Sequence, residues 1–285
     1  MRYLILGSSG MAGHMVALYL QEQGHEVWGF AHHQEGTYPV YIGDATNNEE
    51  LYDALGQENF DYVINCIGVL NQAVDRNLAK GIYINSVLPH LIAERLQQSE
   101  TKLIHISTDC VFSGKKGTYS EIDQPDAETM YGRSKSLGEV IDNKNLTIRT
   151  SIVGPELKPD GIGLFHWFMH QTEEIQGYAK VIWSGVTTLQ LAKAIDQMSR
   201  IPITGLYHLV NNQVISKYNL LQLFNTYCRQ KPIEIKKNVD IINDKSLINS
   251  RKDYRIDVPD YECMIKEMAE WMREHKKLYS QYAIF

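Results

Sequence analysis

The sequence predicts an α/β protein built on a doubly wound parallel sheet, with a smaller C-terminal lobe attached. Three observations carry that expectation. Short apolar runs alternate with helically patterned segments through the first half of the chain, and a glycine-rich turn follows the first of those runs. After Arg149 the pattern gives way to a loop crowded with Pro155, Pro159, Gly161 and Gly163.

The candidate strands are Tyr3 to Gly7, Glu26 to Ala31, Tyr62 to Cys66, Lys102 to Ser107 and Thr147 to Val153, each a short run bounded by turn residues. Between them, Gly13 to Gln23, Glu49 to Leu55, Gly81 to Gln98 and Tyr131 to Ile141 carry apolar residues at helical spacing, with Gly24 as a stop for the first. Beyond Arg149 the aromatic-rich Leu164 to Met169 opens an inserted lobe. Thr188 to Met198 reads as a helix that returns to the main sheet, Tyr207 to Val210 as a sixth strand, and the amphipathic Tyr261 to Lys276 as cover for the lobe. The chain has 285 residues, against roughly 150 for one average domain. The expected division is a sheet domain over 1–150 with a return segment about 186–210, and a lobe made of 151–185 and 211–285.

With 44% hydrophobic and 22% charged residues, a net charge of -6 and no long single-sign run, neither nucleic acid nor a membrane is called for. The stretch Lys231 to Lys237 is broken by Pro232 and Glu234 and reads as solvated surface. Cys66, Cys110, Cys228 and Cys263 are scattered without paired spacing, so they form neither a disulfide framework nor a zinc site, and no metal is expected. The opening MRYLILG is too short an apolar run for a secretion signal or a span, which places the expected location in the cytoplasm.

Gly7, Gly10 and Gly13 give G-x-x-G-x-x-G between a strand and a helix. A turn free of Cβ atoms there lets backbone N–H groups and the helix N-terminus approach a pyrophosphate, so a dinucleotide site of the Rossmann type is expected. A carboxylate about 20 positions later would hold the adenosine ribose hydroxyls of NAD. That region reads Phe30-Ala31-His32-His33, with no carboxylate until Glu35. Nothing there repels a ribose phosphate, which favours NADP(H) while leaving NAD(H) open; His32 is a candidate phosphate contact.

Tyr131-Gly132-Arg133-Ser134-Lys135 sets a phenol and an ammonium four residues apart, on one helix face. Stabilising a phenolate by three units, from about 10 to 7, requires about 4 kcal/mol, which a close ammonium in a partly dry site is expected to supply. Tyr131 then acts as general acid on a carbonyl oxygen while a hydride arrives at the carbon, and Lys135 bonds the cofactor ribose. Upstream, Ser107-Thr108-Asp109 ends a strand whose carboxyl edge faces the cleft, and the Thr108 hydroxyl is suited to the same carbonyl oxygen.

These residues resemble the extended short-chain dehydrogenases, and most closely the dTDP-4-dehydrorhamnose reductase-like group. The similarity runs from LGSSGMAG through VINCIGVLNQAVD, INSVLP and ISTDCVFSG to YGRSKSLGE and RTSIVGP. It implies reduction of the 4-keto group of a nucleotide-activated 4-keto-6-deoxy sugar in polysaccharide or glycan precursor synthesis. By the resemblance Gly10, Met11 and Ala12 meet the pyrophosphate, Asp44 and Ala45 the adenine side, and Ile67, Gly68 and Val69 the middle of the cofactor. Asn85 and Ser107 support the cofactor end of the site, Thr108, Tyr131 and Lys135 form the catalytic triad, and Asp109 lies near the sugar.

Two departures narrow the resemblance. The rhamnose-forming reductases carry tryptophan where Ile152 stands, and Trp183 to Thr188 with Asp244 to Leu247 resemble a branch acting on UDP-linked 4-keto-6-deoxy-N-acetylhexosamines. Related 4,6-dehydratases place a glutamate where Cys110 stands, so elimination of water is disfavoured and simple reduction favoured. Lys217, Lys245 and Arg251 are the basic candidates for a diphosphate, and Trp183 for stacking on a ring. A redox-neutral epimerase and a non-catalytic NADP-binding regulatory subunit stand as alternatives, and a homodimer is left open.

Overall fold

The chain opens on β1 (Arg2–Leu6), where Tyr3 and Ile5 join one apolar cluster and Leu4 and Leu6 another, so the strand is buried from both sides. Burial on both faces belongs to a parallel sheet between two helical layers. The computed structural model, which describes residues 1–34 and 36–282, has that architecture; Glu35 lies outside the described residues. In order come α1 (Met11–Glu22), β2 (Glu26–Ala31), β3 (Val40–Ile42), α2 (Asn48–Gly56) and β4 (Tyr62–Asn65). Then follow α3 (Asn71–Arg76), α4 (Leu78–Ile82), a π-helical turn (Tyr83–Val87), α5 (Leu88–Arg95), β5 (Lys102–Thr108), α6 (Met130–Leu137) and β6 (Leu146–Thr150). The second half holds β7 (Ile152–Val153), α7 (Leu164–Met169), β8 (Ile175–Trp183), β9 (Val186–Thr187), α8 (Thr188–Met198) and β10 (Gly205–His208). β11 (Ile215–Ser216), α9 (Lys217–Tyr227), β12 (Ile235–Asp244) and α10 (Tyr261–Glu274) complete it.

Seven strands pair in the order β3-β2-β1-β4-β5-β6-β10, every neighbour parallel. Successive strands run outward in opposite directions from β1 and β4, and at such a reversal a crevice opens over the carboxyl ends. One apolar cluster joins the sheet to α1 and α8, and a second joins it to α2, the π turn and α5. Away from this sheet, β11, β8 and β12 form a three-stranded sheet on which α9 packs, and β7 pairs with β9.

Several elements depart from the expectation. β3 is a three-residue edge strand, too short to show a period. The single helix expected over 81–98 starts earlier, ends at Arg95 and is interrupted by the π turn, whose extra residue re-aims Asn85. β8 and β12 were not anticipated; β12 is an exposed edge carrying Lys236 and Lys237, so the lysine-rich stretch is the charged border of a sheet.

Two buried histidines are fixed as neutral rings by their partners. His14 Nδ1 bonds Gly10 O at 2.8 Å while its Nε2 accepts from the Tyr279 hydroxyl at 3.0 Å. His208 is held likewise between Ile248 O and Arg149. Burial pulls both rings from 6.5 down to about 4. The unfolded chain therefore takes up protons near pH 6.5 that the folded chain refuses until about 4, so this part of the stability is whole above 6.5 and drains as the pH falls toward 4. Denaturant midpoints measured across that window should fall with pH, and His14→Gln should flatten the slope. An identical slope in the variant would place the proton uptake elsewhere.

Candidate active site

The glycine turn is shaped by two close approaches. Gly7 has φ +79°, in the left-handed region, and its N–H and that of Ser8 both bond Phe30 O of β2. Gly13 lies so near the turn that a Cβ on it would sit 2.1 Å from Gly7 O. Gly10 caps α1 without any side-chain acceptor, leaving first-turn N–H groups free for an anion. These features fit a dinucleotide pyrophosphate, and a cleft opens directly over them.

Gly7, Gly10, His32, Asp44, Ala45, Ile67, Gly68 and Val69 all line that cleft. Met11, Ala12 and Gly13 form the first turn of α1 beside it. Asp44 turns its carboxylate onto Thr46, whose backbone and hydroxyl hold it below the usual range despite the cost of desolvation. Sequence reasoning missed two cations in the lining, Lys80 and Lys158. Lys158 rides on the proline- and glycine-rich loop, which Glu156 folds back by accepting from Gly163 N–H at 2.6 Å and which the Tyr282 hydroxyl holds through Glu156 N–H at 2.9 Å. The crowded loop was visible in the sequence; its landing place, set by a tyrosine 126 positions away, was not.

α6 seats the catalytic candidates. A Cβ on Gly132 would lie 2.1 Å from Cys110 O, and one on Gly138 would lie 1.9 Å from Asn85 O, so the helix lies backbone against backbone on both neighbours. Its N-cap is Thr129, whose hydroxyl accepts from Gly132 N–H. Asn85, fully buried in the π turn, clamps Val69 by both backbone groups at 2.9 Å and donates to the Ser134 hydroxyl at 3.1 Å. The lining loop and α6 are thereby locked together.

Tyr131 is 8% exposed, and the Thr108 hydroxyl lies beside it. Its acidity runs opposite to expectation. Burial, then Cys110 and the Asp109 charge, push the phenol well above its ordinary value, with Thr108 opposing. Lys135 does not reverse this. It is buried against β5, its Nζ bonds Ile106 O at 2.8 Å and approaches His105 Nε2 at 3.3 Å, and burial pulls it down to about 8. Thr108 gives its proton to Asp109 Oδ1 at 3.0 Å and accepts from Cys110 N–H at 3.1 Å. The Ser107 hydroxyl, expected on the cofactor, is committed to Glu139 at 2.7 Å.

Asp109 is buried, and desolvation raises it while Lys217 and Lys245 oppose the rise. The Lys217 ammonium sits 5.4 Å over the Trp183 ring. Trp183 is itself 2% exposed, bonded through Nε1 to Ser151 Oγ at 2.8 Å and packed on Tyr261, so it forms a floor for Lys217 instead of a free stacking surface. Ile152 is half-buried in β7, two residues past Thr150, the register partner of Thr108. Arg251 is not brought to the cleft. Its guanidinium bonds Thr204 O at 2.6 Å, Leu206 O at 3.1 Å and Asp253, beside the start of β10, which pairs with the amino end of β6 at the opposite edge of the sheet.

The fold and this arrangement define a Rossmann-type protein with a glycine-turn cleft and a Thr–Tyr–Lys constellation at its mouth. Residues 1–249 match the family model for the RmlD substrate binding domain, and the chain belongs to that family. Among curated relatives it is 35% identical over 139 residues to a probable low-salt glycan biosynthesis reductase, Agl14, of Haloferax volcanii, covering 47% of this chain and 46% of the relative. The match to that relative thus spans about half of its length. A dTDP-4-dehydrorhamnose reductase of Aggregatibacter actinomycetemcomitans is 22% identical over 99% of this chain and 94% of its own. The fold is shared with the crystal structure of dTDP-4-dehydrorhamnose reductase from Bacillus anthracis in complex with NADP, at a TM-score of 0.78 and 20% identity, covering 94% of this chain and 98% of that one.

The Gly13 contact gives a direct test of the turn. Gly13→Ala should destabilise the fold by about 1–3 kcal/mol, because the methyl has only backbone to displace. Thermal unfolding reads this as a lowered midpoint, and a wild-type midpoint would show that α1 shifts freely away from β1.

Proposed function

We propose that the protein reduces the 4-keto group of a nucleotide-activated 4-keto-6-deoxy sugar with NADPH. The observation that carries the reading is the meeting of the Tyr131 and Thr108 hydroxyls at the carboxyl end of β5, beside the glycine-turn cleft and with Lys135 beneath them. Residues 1–150 with the return segment about 186–210 bind the dinucleotide in this reading, and 151–185 with 211–285 bind the sugar nucleotide. NADPH is favoured over NADH because Lys80, Lys158 and His32 line the cleft and no described carboxylate follows β2 in the expected ribose position. The Bacillus anthracis relative of this fold also holds NADP.

When bound, the dinucleotide supplies the hydride. The protein's part is to hold and move a proton at the ketone oxygen. A phenol kept above its ordinary value retains its proton at neutral pH, and donating it to an oxygen that is becoming an alkoxide is downhill. The Thr108 hydroxyl swings its proton from Asp109 to the same oxygen and steadies the growing charge. Lys217 and Lys245 then compensate Asp109 and meet the negative sugar nucleotide. Cys110 offers no acid–base group for eliminating water, since burial pushes its thiol up to about 12.

Incubation with NADPH and a panel of dTDP- and UDP-linked 4-keto-6-deoxy sugars should consume one NADPH per product with at least one member. A redox-neutral cycle or no turnover with any sugar would overturn the reading. Tyr131→Phe should lower kcat by about 10²–10⁴ while leaving dinucleotide affinity nearly unchanged, and turnover near wild type would remove the assigned proton donor. Ile152→Trp should change the ratio of kcat/KM between dTDP- and UDP-linked substrates. An unchanged ratio would mean that β7 does not touch the sugar.

A further inference from the structure

Beneath α6 lies a buried polar chain that the proposed reduction does not yet use. Asn65, the last residue of β4, and His105 of β5 are register partners on adjacent strands, and both are fully buried. Asn65 Oδ1 accepts from Ile67 N–H at 3.1 Å. Its Nδ2 lies 3.2 Å from His105 Nδ1, and His105 Nε2 lies 3.3 Å from Lys135 Nζ, which also donates to Ile106 O at 2.8 Å.

The protons on this chain can be placed one at a time. The Ile67 N–H is a donor and cannot be reversed, so Asn65 must keep its oxygen there and turn its NH₂ toward His105. His105 Nδ1 is then an acceptor. A neutral imidazole carries one proton, which must sit on Nε2, aimed at Lys135. An ammonium has no lone pair with which to receive it; an amine does.

We propose that His105 is a positioning residue for Lys135, presenting its Nε2–H to the lysine nitrogen so that the ammonium is disfavoured and the side chain gives up its proton readily. The surroundings agree. Burial is the largest cause that keeps His105 well below its usual value, with His90 of α5 acting in the same sense, so the ring stays neutral. The groups facing Lys135 are Glu139 and Cys66. Glu139 is already paired bidentately with Arg149 at 2.6 Å, and the Cys66 thiol is pushed up to about 12 by burial, so neither forces an ammonium. An amine that exchanges its proton near neutral pH, one helical turn from Tyr131, is suited to returning a proton to the phenolate after each turnover. The inference rests on the proposed reduction only for that last step.

The test is magnetic resonance on the protein without substrate or dinucleotide. Histidine-labelled protein should show His105 as the neutral Nε2–H tautomer through the neutral range, and an Nδ1–H tautomer or a protonated ring would overturn the proposal. Lysine side-chain resonances, with Lys135 assigned by its loss in Lys135→Met, give that residue's titration midpoint. His105→Gln, whose amide can accept from Asn65 and donate to Lys135, should keep the wild-type midpoint. His105→Leu should raise it by about one pH unit, a tenfold rise in proton affinity, and an unmoved midpoint would also overturn the proposal. If His105→Leu does not fold, the wild-type tautomer and His105→Gln still decide. In turnover, the alkaline limb of kcat/KM should move with the Lys135 midpoint in each variant, which a merely structural loss would not do. Because the resonance arms need no cofactor or sugar, a correct tautomer in a protein that oxidises no NADPH would sink the proposed function alone.

Discussion

The contact of the α6 backbone with its two neighbours governs everything at the mouth of the cleft. Gly132 against Cys110 O fixes the distance from Tyr131 to Thr108, and Gly138 against Asn85 O fixes the reach of Asn85 to Ser134. At the far end of the helix, Glu139 meets Arg149 of β6 in a buried bidentate pair, and Arg149 extends to His208 of β10 and the Phe112 ring. A buried ion pair is weak evidence of net stability, because desolvation offsets much of the attraction, but it is intolerant of change in either partner. Its value here is geometric. One helix is tied to the π turn, to the loop after β5 and to the far strands of the sheet, so the side chains it presents inherit the rigidity of three elements.

Around that seat, polar groups are arranged so that charge is kept low until a ligand arrives. Tyr131 is held protonated, burial pulls Lys135 down to about 8, and His105 is neutral. Asp109 is the exception, a buried carboxylate matched by two lysines from the other lobe and by a threonine proton. Such a set costs little in the absence of substrate, since each buried group has a partner, and it leaves the Thr108 proton as the group most easily redirected.

Six of the seven strands of the main sheet, the glycine turn and the Tyr-x-x-x-Lys helix were legible because each is written locally, in runs of a few residues with a period or a turn residue to bound them. Eight of the expected cofactor-side residues line one cleft for the same reason. What the sequence hid is non-local or depends on burial. The π turn that aims Asn85 inward looks like ordinary helix, and Lys158 reaches the cleft only through contacts from Tyr282. The spacing of Tyr131 and Lys135 was read correctly as one helix face, but not the direction of the phenol's shift, because desolvation dominates it and the Lys135 nitrogen is engaged with Ile106 O and His105. Arg251 and Trp183 were plausible by residue type; in the fold Arg251 is taken up by Thr204, Leu206 and Asp253, and Trp183 by Ser151.

The His14–Tyr279 bond joins residues 265 positions apart, and Tyr282 reaches the Lys158 loop across 126. The helix that follows the glycine turn is therefore completed by a turn 265 positions further along the chain. Contacts of such long sequence separation form late and slowly, because the intervening chain must already be ordered. The glycine turn and the Lys158 loop are therefore unbraced until those distant contacts have formed.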